Sequence, residues 1–380
     1  MSEFLWQVYT NTYPYEKVAE AATYTSCEVI RRHNQVGSWK LTMSPADGAL
    51  LELARPDRRV TVDYNGHRVS SGTVHGVRQA RDGRSVVNEV YGYDDLRWLE
   101  RRLAAPDPTA TYPADGVSFT TGFNYRDYIA DNAETMIKYW VTRNAVTRAP
   151  IPGLVVATDL GRGASKAYGP RWDTLLEATA RIANGTGLGL SLVQSGDHLV
   201  FDVYEPQEQP VRLSENLDNL RAWEYVLEAP IATRLVLGGP GDGTARKFMW
   251  KRLTSSETDW LVTEKFEDAT EGDTDAEMSA RGAELLVEYA PQAGFSVTPE
   301  DTVSMRYAEH YNVGDKVRVE VANGVFIPDT VTQVVLSHQP GSAPLATPTV
   351  GNSDAANKSS ALARSVRTTL TRLLRQQRIR

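Results

Sequence analysis

Residues 59–66 read Arg59-Val-Thr-Val-Asp-Tyr-Asn65-Gly66, and no other segment narrows the fold as far. The alternation is that of a half-buried strand. Asn-Gly supplies the two positive-φ residues of a type I′ turn. The return strand carries Val69, Val74 and Val77. A chain that turns this tightly between two alternating runs is building antiparallel sheet. The pattern recurs at Lys316-Val-Arg-Val-Glu-Val-Ala-Asn323-Gly324, with one extra alanine before Asn-Gly. Asp57 and Asp315 precede the two copies. Gly72-Thr-Val-His-Gly-Val77 and Asp329-Thr-Val-Thr-Gln-Val334 follow them. Two readings fit. Any two exposed hairpins share such a pattern, or the chain holds two related β-domains interrupted by inserts. In the second case, two barrels per chain would let a trimer present six equivalent barrels.

The rest of the chain reads as β-structure with helical interruptions. Glu28–Ile30 and Ser38–Met43 are strand-like, and Ser44 and Pro45 open a short helix carrying Leu50, Leu51 and Leu53. Arg81-Asp82-Gly83 turns into a strand from Val86 to Tyr93, and Asp94 caps a short helix through Leu96, Leu99 and Leu103. Beyond a boundary at Pro106, Pro108 and Pro113 the period lengthens. Ile129, Ala133, Met136, Ile137, Trp140 and Val141 share one face of a helix predicted over 126–145. A second helix is predicted from Trp172 to Ala183, stopping at Asn184-Gly185. A hairpin follows, Gly187–Val193 and His198–Val203. Strands return at Leu220–Leu227, Ala232–Leu237, Phe248–Leu253 and Asp259–Thr263. The acidic stretch 264–277 reads as a solvated loop leading to a helix over about 275–289, with Met278, Leu285 and Leu286 inward.

A length of 380 residues exceeds one ordinary core, so several domains are expected. The 41% hydrophobic and 23% charged content is that of a globular chain. The start resembles no signal peptide, and no apolar run approaches the roughly 20 residues that span a bilayer. Cys27 is the only cysteine, which excludes an intrachain disulfide and a cysteine-built zinc site.

Sites of chemistry are scarce. Gly238–Gly243 has Gly-x4-Gly spacing, but Thr244-Ala245 stands where a phosphate loop needs Lys and Ser or Thr, so a hairpin loop is the reading. Gly185-x-Gly187-x-Gly189 ends a helix instead of starting one. The acids from Glu264 to Glu277 lack the spacing of a calcium loop. No two of the six histidines have helical metal-pair spacing. His67 and His75 fall in one hairpin as polar strand positions. Cys27, beside Glu28, Val29 and Ile30, reads as a buried or semi-buried strand thiol. No catalytic residue, cofactor site or metal site is assigned.

Several segments in sequence order resemble the tail-hub proteins of long non-contractile-tailed phages, related to the baseplate hub of contractile-tailed phages. They are Cys27-Glu-Val-Ile-Arg-Arg with Val36-Gly-Ser-Trp39, Asn65-Gly66 with Ser71-Gly72-Thr73, and Ala133-Glu-Thr-Met136 with Ile151-Pro-Gly-Leu154. Trp172 and Leu175-Leu176 leading to Gly187-Leu-Gly-Leu190, Ala232-Thr233 with Gly238-Gly239, and Asn312-Val-Gly-Asp-Lys-Val317 complete them. The resemblance covers about residues 24–340. It implies an α+β, mainly β fold: two related tail-tube-like β-barrel domains with α+β insertions, plus a C-terminal amphipathic helix. The implied division is a first barrel over 1–104, an α+β insert over 105–211, a second barrel over 212–263 and 301–340, a helical insert over 264–300, and a linker with basic helix over 341–380. The implied function is a structural one, a homotrimeric tail-tip hub in the virion, assembled in the host cytoplasm. It would adapt and close the hexameric tail tube and pass DNA only as cargo. The implied partners are the distal tail protein, the tape-measure protein and central fibre or other tail-tip proteins. A wall hydrolase of the tail tip and a carbohydrate-binding β-sandwich module are the alternatives.

The last residues read as a basic amphipathic helix. Leu362, Val366, Leu370, Leu373 and Leu374 make a stripe, with Arg364, Arg367, Arg372 and Arg375 on other faces. A bundle on a trimer axis, docking on another tail protein, or a membrane surface would each use such a helix. The narrow stripe without an aromatic argues against stable membrane binding, which leaves these nine residues as candidate partner or oligomer contacts. From residue 355 onward the charged residues are all basic, so the body is more acidic than the net −7 of the whole chain. An acidic body would let DNA pass without sticking.

Overall fold

The computed structural model describes residues 4–44, 48–55, 57–82, 85–105, 129–170, 172–269, 274–299, 305–322 and 325–351. The chain divides into two compact units. One is built from 1–211, 300–317 and 330–348, the other from 212–299, 318–329 and 349–380.

The first unit begins with β1 (Phe4–Thr10), β2 (Lys17–Glu20), β3 (Tyr24–Arg32), β4 (Ser38–Met43), α1 (Gly48–Leu53), β5 (Arg58–Tyr64), β6 (His67–Asp82), β7 (Ser85–Tyr93) and α2 (Arg97–Glu100). The Asn-Gly turn forms as predicted. Asn65 and Gly66 have φ of 53° and 79°, and Tyr64 pairs with His67 across it. The α+β part follows as β8 (Ile129–Asn132), α3 (Ala133–Val141), β9 (Leu154–Val156), β10 (Ser165–Tyr168), α4 (Leu175–Thr186), β11 (Gly189–Ser195) and β12 (His198–Tyr204), and then comes β13 (Glu208–Leu213). The second unit contains β14 (Leu220–Glu228), β15 (Arg234–Gly238), β16 (Phe248–Arg252), α5 (Thr254–Trp260), β17 (Glu264–Asp268), α6 (Asp275–Glu288) and β18 (Gln292–Pro299). The last strands are β19 (Lys316–Ala322), β20 (Val325–His338) and β21 (Leu345–Val350).

The largest sheet runs β13-β19-β20-β3-β4-β7-β6-β5-β1-β2, with β21 also on β20. This corrects the expectation of two barrels. Among the described residues no sheet closes on itself, because β2 pairs only with β1 and β13 only with β19. Both Asn-Gly hairpins contribute to this one strand order. The second turn, Asn323-Gly324, lies outside the described residues.

Alternation along the strands builds the core of the first unit. Val8, Val29, Leu41, Val60, Val62, Val90, Val334 and Leu336 are all buried, and Trp6 meets Trp39 edge-on at 5.9 Å. A second cluster joins α3 and α4 to β11 and β12 through Met136, Ile137, Trp140, Leu175, Ala178 and Phe201. The helix expected from 126 starts only at Ala133, because Ile129–Asn132 pairs with β10 as a strand. It then widens into a π-helical segment over Thr142–Arg148. The Asn144 side chain there donates to the Trp140 carbonyl and accepts from the Ala105 amide. The helix α4 begins with a reciprocal Thr174–Glu177 capping box and ends at Gly187, φ 74°, just beyond the predicted stop.

In the second unit β14 pairs with β18, and β16-β15-β17 form a three-stranded sheet. The strand predicted over 259–263 is instead the end of helix α5 and the turn after it. The first acids of the predicted loop are strand β17, parallel to β15. Their partner is remote in sequence, and charged residues on both faces of the strand hide its period.

Cys27 lies buried on the core face of β3, as expected. Burial pushes its thiol up to about 12. A thiol reagent is therefore expected to label the native chain hardly at all and the denatured chain fully. Stoichiometric labelling within minutes in native buffer would contradict the placement.

Candidate interaction surface

Among the described residues of the second unit, the sheet β16-β15-β17 is covered on one side only. Strand alternation sends Leu235, Leu237 and Met249 toward α6, where they pack against Met278, Leu285 and Leu286. Gly282 lets the helix approach closely, since a Cβ there would lie 2.5 Å from Leu237 Cδ1. The same alternation sends the intervening residues to the other face. The register sets three rows across it: Arg252, Arg234 and Glu264; Trp250, Val236 and Phe266; Phe248, Gly238 and Asp268. The three rings stay about half exposed or more, Phe248 at 62%, Trp250 at 58% and Phe266 at 49%.

Arginines organise this face. Arg246 stacks on both Phe248 and Phe266 at 5.7 Å and pairs with Asp268. Arg234 and Arg252 lie over Trp250 at 5.6 and 5.7 Å. Arg234 is also tied to Glu257 at 3.0 Å. Gly238 opens the space that Arg246 fills, because a Cβ would stand 2.5 Å from its Nη2. The result is a flat strip of aromatic rings held by stacked guanidinium groups. Aromatic residues and arginine are the types enriched in protein–protein contacts, and grouped exposed rings mark interaction surfaces. Sequence reasoning missed this strip. Its signal was present in Phe248-x-Trp250-x-Arg252 and Glu264-x-Phe266-x-Asp268, where rings share a strand face with charges instead of with the apolar partners.

The candidate contacts Leu362, Arg364, Val366, Arg367, Leu370, Arg372, Leu373, Leu374 and Arg375 lie outside the described residues. The glycine run Gly238–Gly243 is a hairpin loop between antiparallel β15 and β16, as read from sequence. Its Asp242 side chain accepts from the Gly243 amide. A buried ion-pair network lies in the first unit. Glu134 is buried and takes Lys138 Nζ at 2.7 Å and Arg162 Nε at 2.8 Å, and Lys138 also reaches Asp202 at 2.8 Å. Burial pushes the Glu134 carboxyl up, but hydrogen bonds from Arg162 and Lys138 outweigh it and hold the group well below the usual carboxylate range. A carboxylate locked in its charged form braces α3 against β12 and is unsuited to proton transfer at neutral pH.

A match to the family described as Siphovirus ReqiPepy6 Gp37-like protein runs from residue 5 to residue 352. The chain belongs to that family. This Gp37-like chain also shares its fold with solved tail proteins. The 43 kDa tail protein of prophage MuSo2 from Shewanella oneidensis superposes with a TM-score of 0.54 at 16% identity, over 92% of this chain and 98% of that one. The tail protein from Neisseria meningitidis MC58 gives 0.53 at 13% identity, over 92% and 97%. Prophage tail protein gp18 from Listeria monocytogenes EGD-e gives 0.51 at 11% identity, over 98% and 99%. No curated protein matches. The resemblance to phage tail proteins read from the sequence is borne out, and the fold of the Gp37-like chain is that of tail proteins along nearly its whole length.

Proposed function

We propose that this Gp37-like chain is a structural protein of the siphovirus tail tip, and that it acts as a homotrimeric hub adapting a hexameric tail tube to three-fold symmetry. The observation that carries the reading is the bare aromatic strip on β16-β15-β17 of a chain with a tail-protein fold. Such a strip suits burial against another virion chain in an assembled particle. The two Asn-Gly hairpins support a pair of related tube-like halves, over 1–104 and over 212–263 with 301–340. The segments 105–211 and 264–300 are the inserts, and the chain beyond β21 is a linker and basic helix. In this reading the hub closes the tube, opens to pass DNA, and meets the distal tail protein, the tape-measure protein and the central fibre. The stripe from Leu362 to Leu374 and its arginines are a handle for an acidic partner.

Light scattering on the purified full chain tests the stoichiometry. Three chains per particle are expected. Serine at Phe248, Trp250 and Phe266 together is expected to abolish incorporation into tails while shifting chain stability by less than about 1 kcal/mol, because the rings are exposed. A single copy per assembled tail would overturn the trimer. Unimpaired incorporation of the triple variant would remove the strip from the interface. Binding to a glycan array, lost in the same variant, would instead favour the carbohydrate-binding alternative.

A further inference from the structure

Strand β3 carries a charge where its period calls for an apolar residue. Cys27 and Val29 face the core, and two residues on, the same face presents Arg31. Its strand neighbour across the sheet is Val334. Among the described residues the Arg31 side chain makes no hydrogen bond and no ion pair. Its Nε is buried without an acceptor. Asp94 feels the charge of Arg31, but its oxygens are occupied by the amides of Gly37, at 2.9 Å, and Leu96, at 3.2 Å. A guanidinium Nε withdrawn from water without an acceptor is costly, and natural structures supply a partner for such groups.

Arg31 opens onto a cavity of about 250 Å³ in the first unit. Its other lining residues are His67, Arg68, Val69, Tyr307, Ala308 and Asn312, with no carboxylate among them. Arg68 is held at the wall by Asp63 and by the Gln194 carbonyl, 2.9 Å from its Nη1. The hairpin turn at Asn65-Gly66 brings His67 to the rim. A second turn, closed where the Ala308 amide donates to the Tyr311 carbonyl at 3.0 Å, brings Tyr307, Ala308 and Asn312 to the opposite wall. The space is several times the roughly 30 Å³ that a water molecule occupies in the liquid.

We propose that this cavity is an oxyanion-binding site, in which the free fork of Arg31 takes two oxygens of a phosphate or carboxylate and Arg68, His67 and Asn312 complete the cage. A planar guanidinium matches either group with paired hydrogen bonds. The source is a free phosphate or an acidic side chain of a neighbouring chain, and both present the same chemistry. The proposal is independent of the aromatic strip, which lies in the other unit.

Calorimetric titration of the full chain with inorganic phosphate, and separately with acetate, tests it at constant ionic strength set by chloride. Saturable binding is expected, weakened about tenfold or more in Arg31→Gln. Tighter binding of phosphate points to a free or esterified phosphate, and tighter binding of acetate to a protein carboxylate. No saturable binding of either anion, or equal binding by a folded Arg31→Gln chain, overturns the site. Crystals of the wild-type chain soaked in selenate give a readout that does not depend on the variant. A selenium peak within hydrogen-bond reach of Arg31 supports the site, and peaks confined to other places overturn it.

Discussion

Asp95→Ala is expected to lower the unfolding free energy by about 3–5 kcal/mol, measured as a shift of the guanidinium midpoint at constant slope. Asp95 and Arg59 are both fully buried and meet at 2.5 Å. Removing the carboxylate strands a guanidinium inside the protein. It also frees the Ser71 hydroxyl, which donates to Asp95 while accepting the Gln194 amide of β11 at 2.7 Å. One deletion therefore loosens the large sheet and the α+β insert together. The pair is incompletely satisfied, since Arg59 Nε and Nη1 and Asp95 Oδ1 lack partners, and the guanidinium is otherwise held over the Tyr15 ring at 4.2 Å. Replacing both charges, Arg59→Met with Asp95→Leu, is thus expected to restore most of the loss. A double variant as unstable as the single one would show that the network, and not the stranded charge, sets the cost.

The second large effect concerns Gly72. An alanine there is expected to cost about 3 kcal/mol in the same assay. Its Cβ would lie 1.9 Å from the Tyr93 carbonyl oxygen and 2.9 Å from Asp94 Cα. Gly92 faces the reverse constraint, with the Thr73 carbonyl at 2.2 Å and the Trp39 ring at 2.5 Å. The two glycines let β6 and β7 press together where β7 hands over to the Asp94–Asp95 pair, so displaced backbone would also misplace both buried carboxylates. Gly66→Ala is the control. That position has open space and is strained only by its φ of 79°, so its cost is about 1 kcal/mol. Equal losses at the two positions would reject the close-approach account.

Features governed by neighbours in sequence were legible. The Asn65-Gly66 turn, the strand Ser38–Met43 and the inward face of α6 follow from period and turn chemistry alone. Features governed by remote partners were hidden. Ile129 continues the apolar face of α3 on paper, yet it pairs with Tyr168 in a strand. Glu264–Asp268 reads as a loop until β15 is placed beside it. Barrel closure came with the family resemblance, and the repeated hairpin beside it fixes neither where the sheet ends nor whether its edges meet. The aromatic strip escaped because hydrophobic residues were assigned inward by default. Arg31 escaped because strand period was used to find apolar faces and not to find the charge that violates one.

The pairing of β3 with β20 sets an order of events. Arg32 lies opposite Gln333, and Cys27 opposite His338. The ribosome releases β3 long before β20, so the early sheet emerges with one edge unsatisfied. An unpaired strand edge is a template for wrong partners, and contacts so distant in sequence form slowly. The chain's own last strands are therefore the seal on its first ones. A tail component built this way completes its large sheet only once β20 has been synthesised, so its readiness for assembly waits on a strand made long after the first ones.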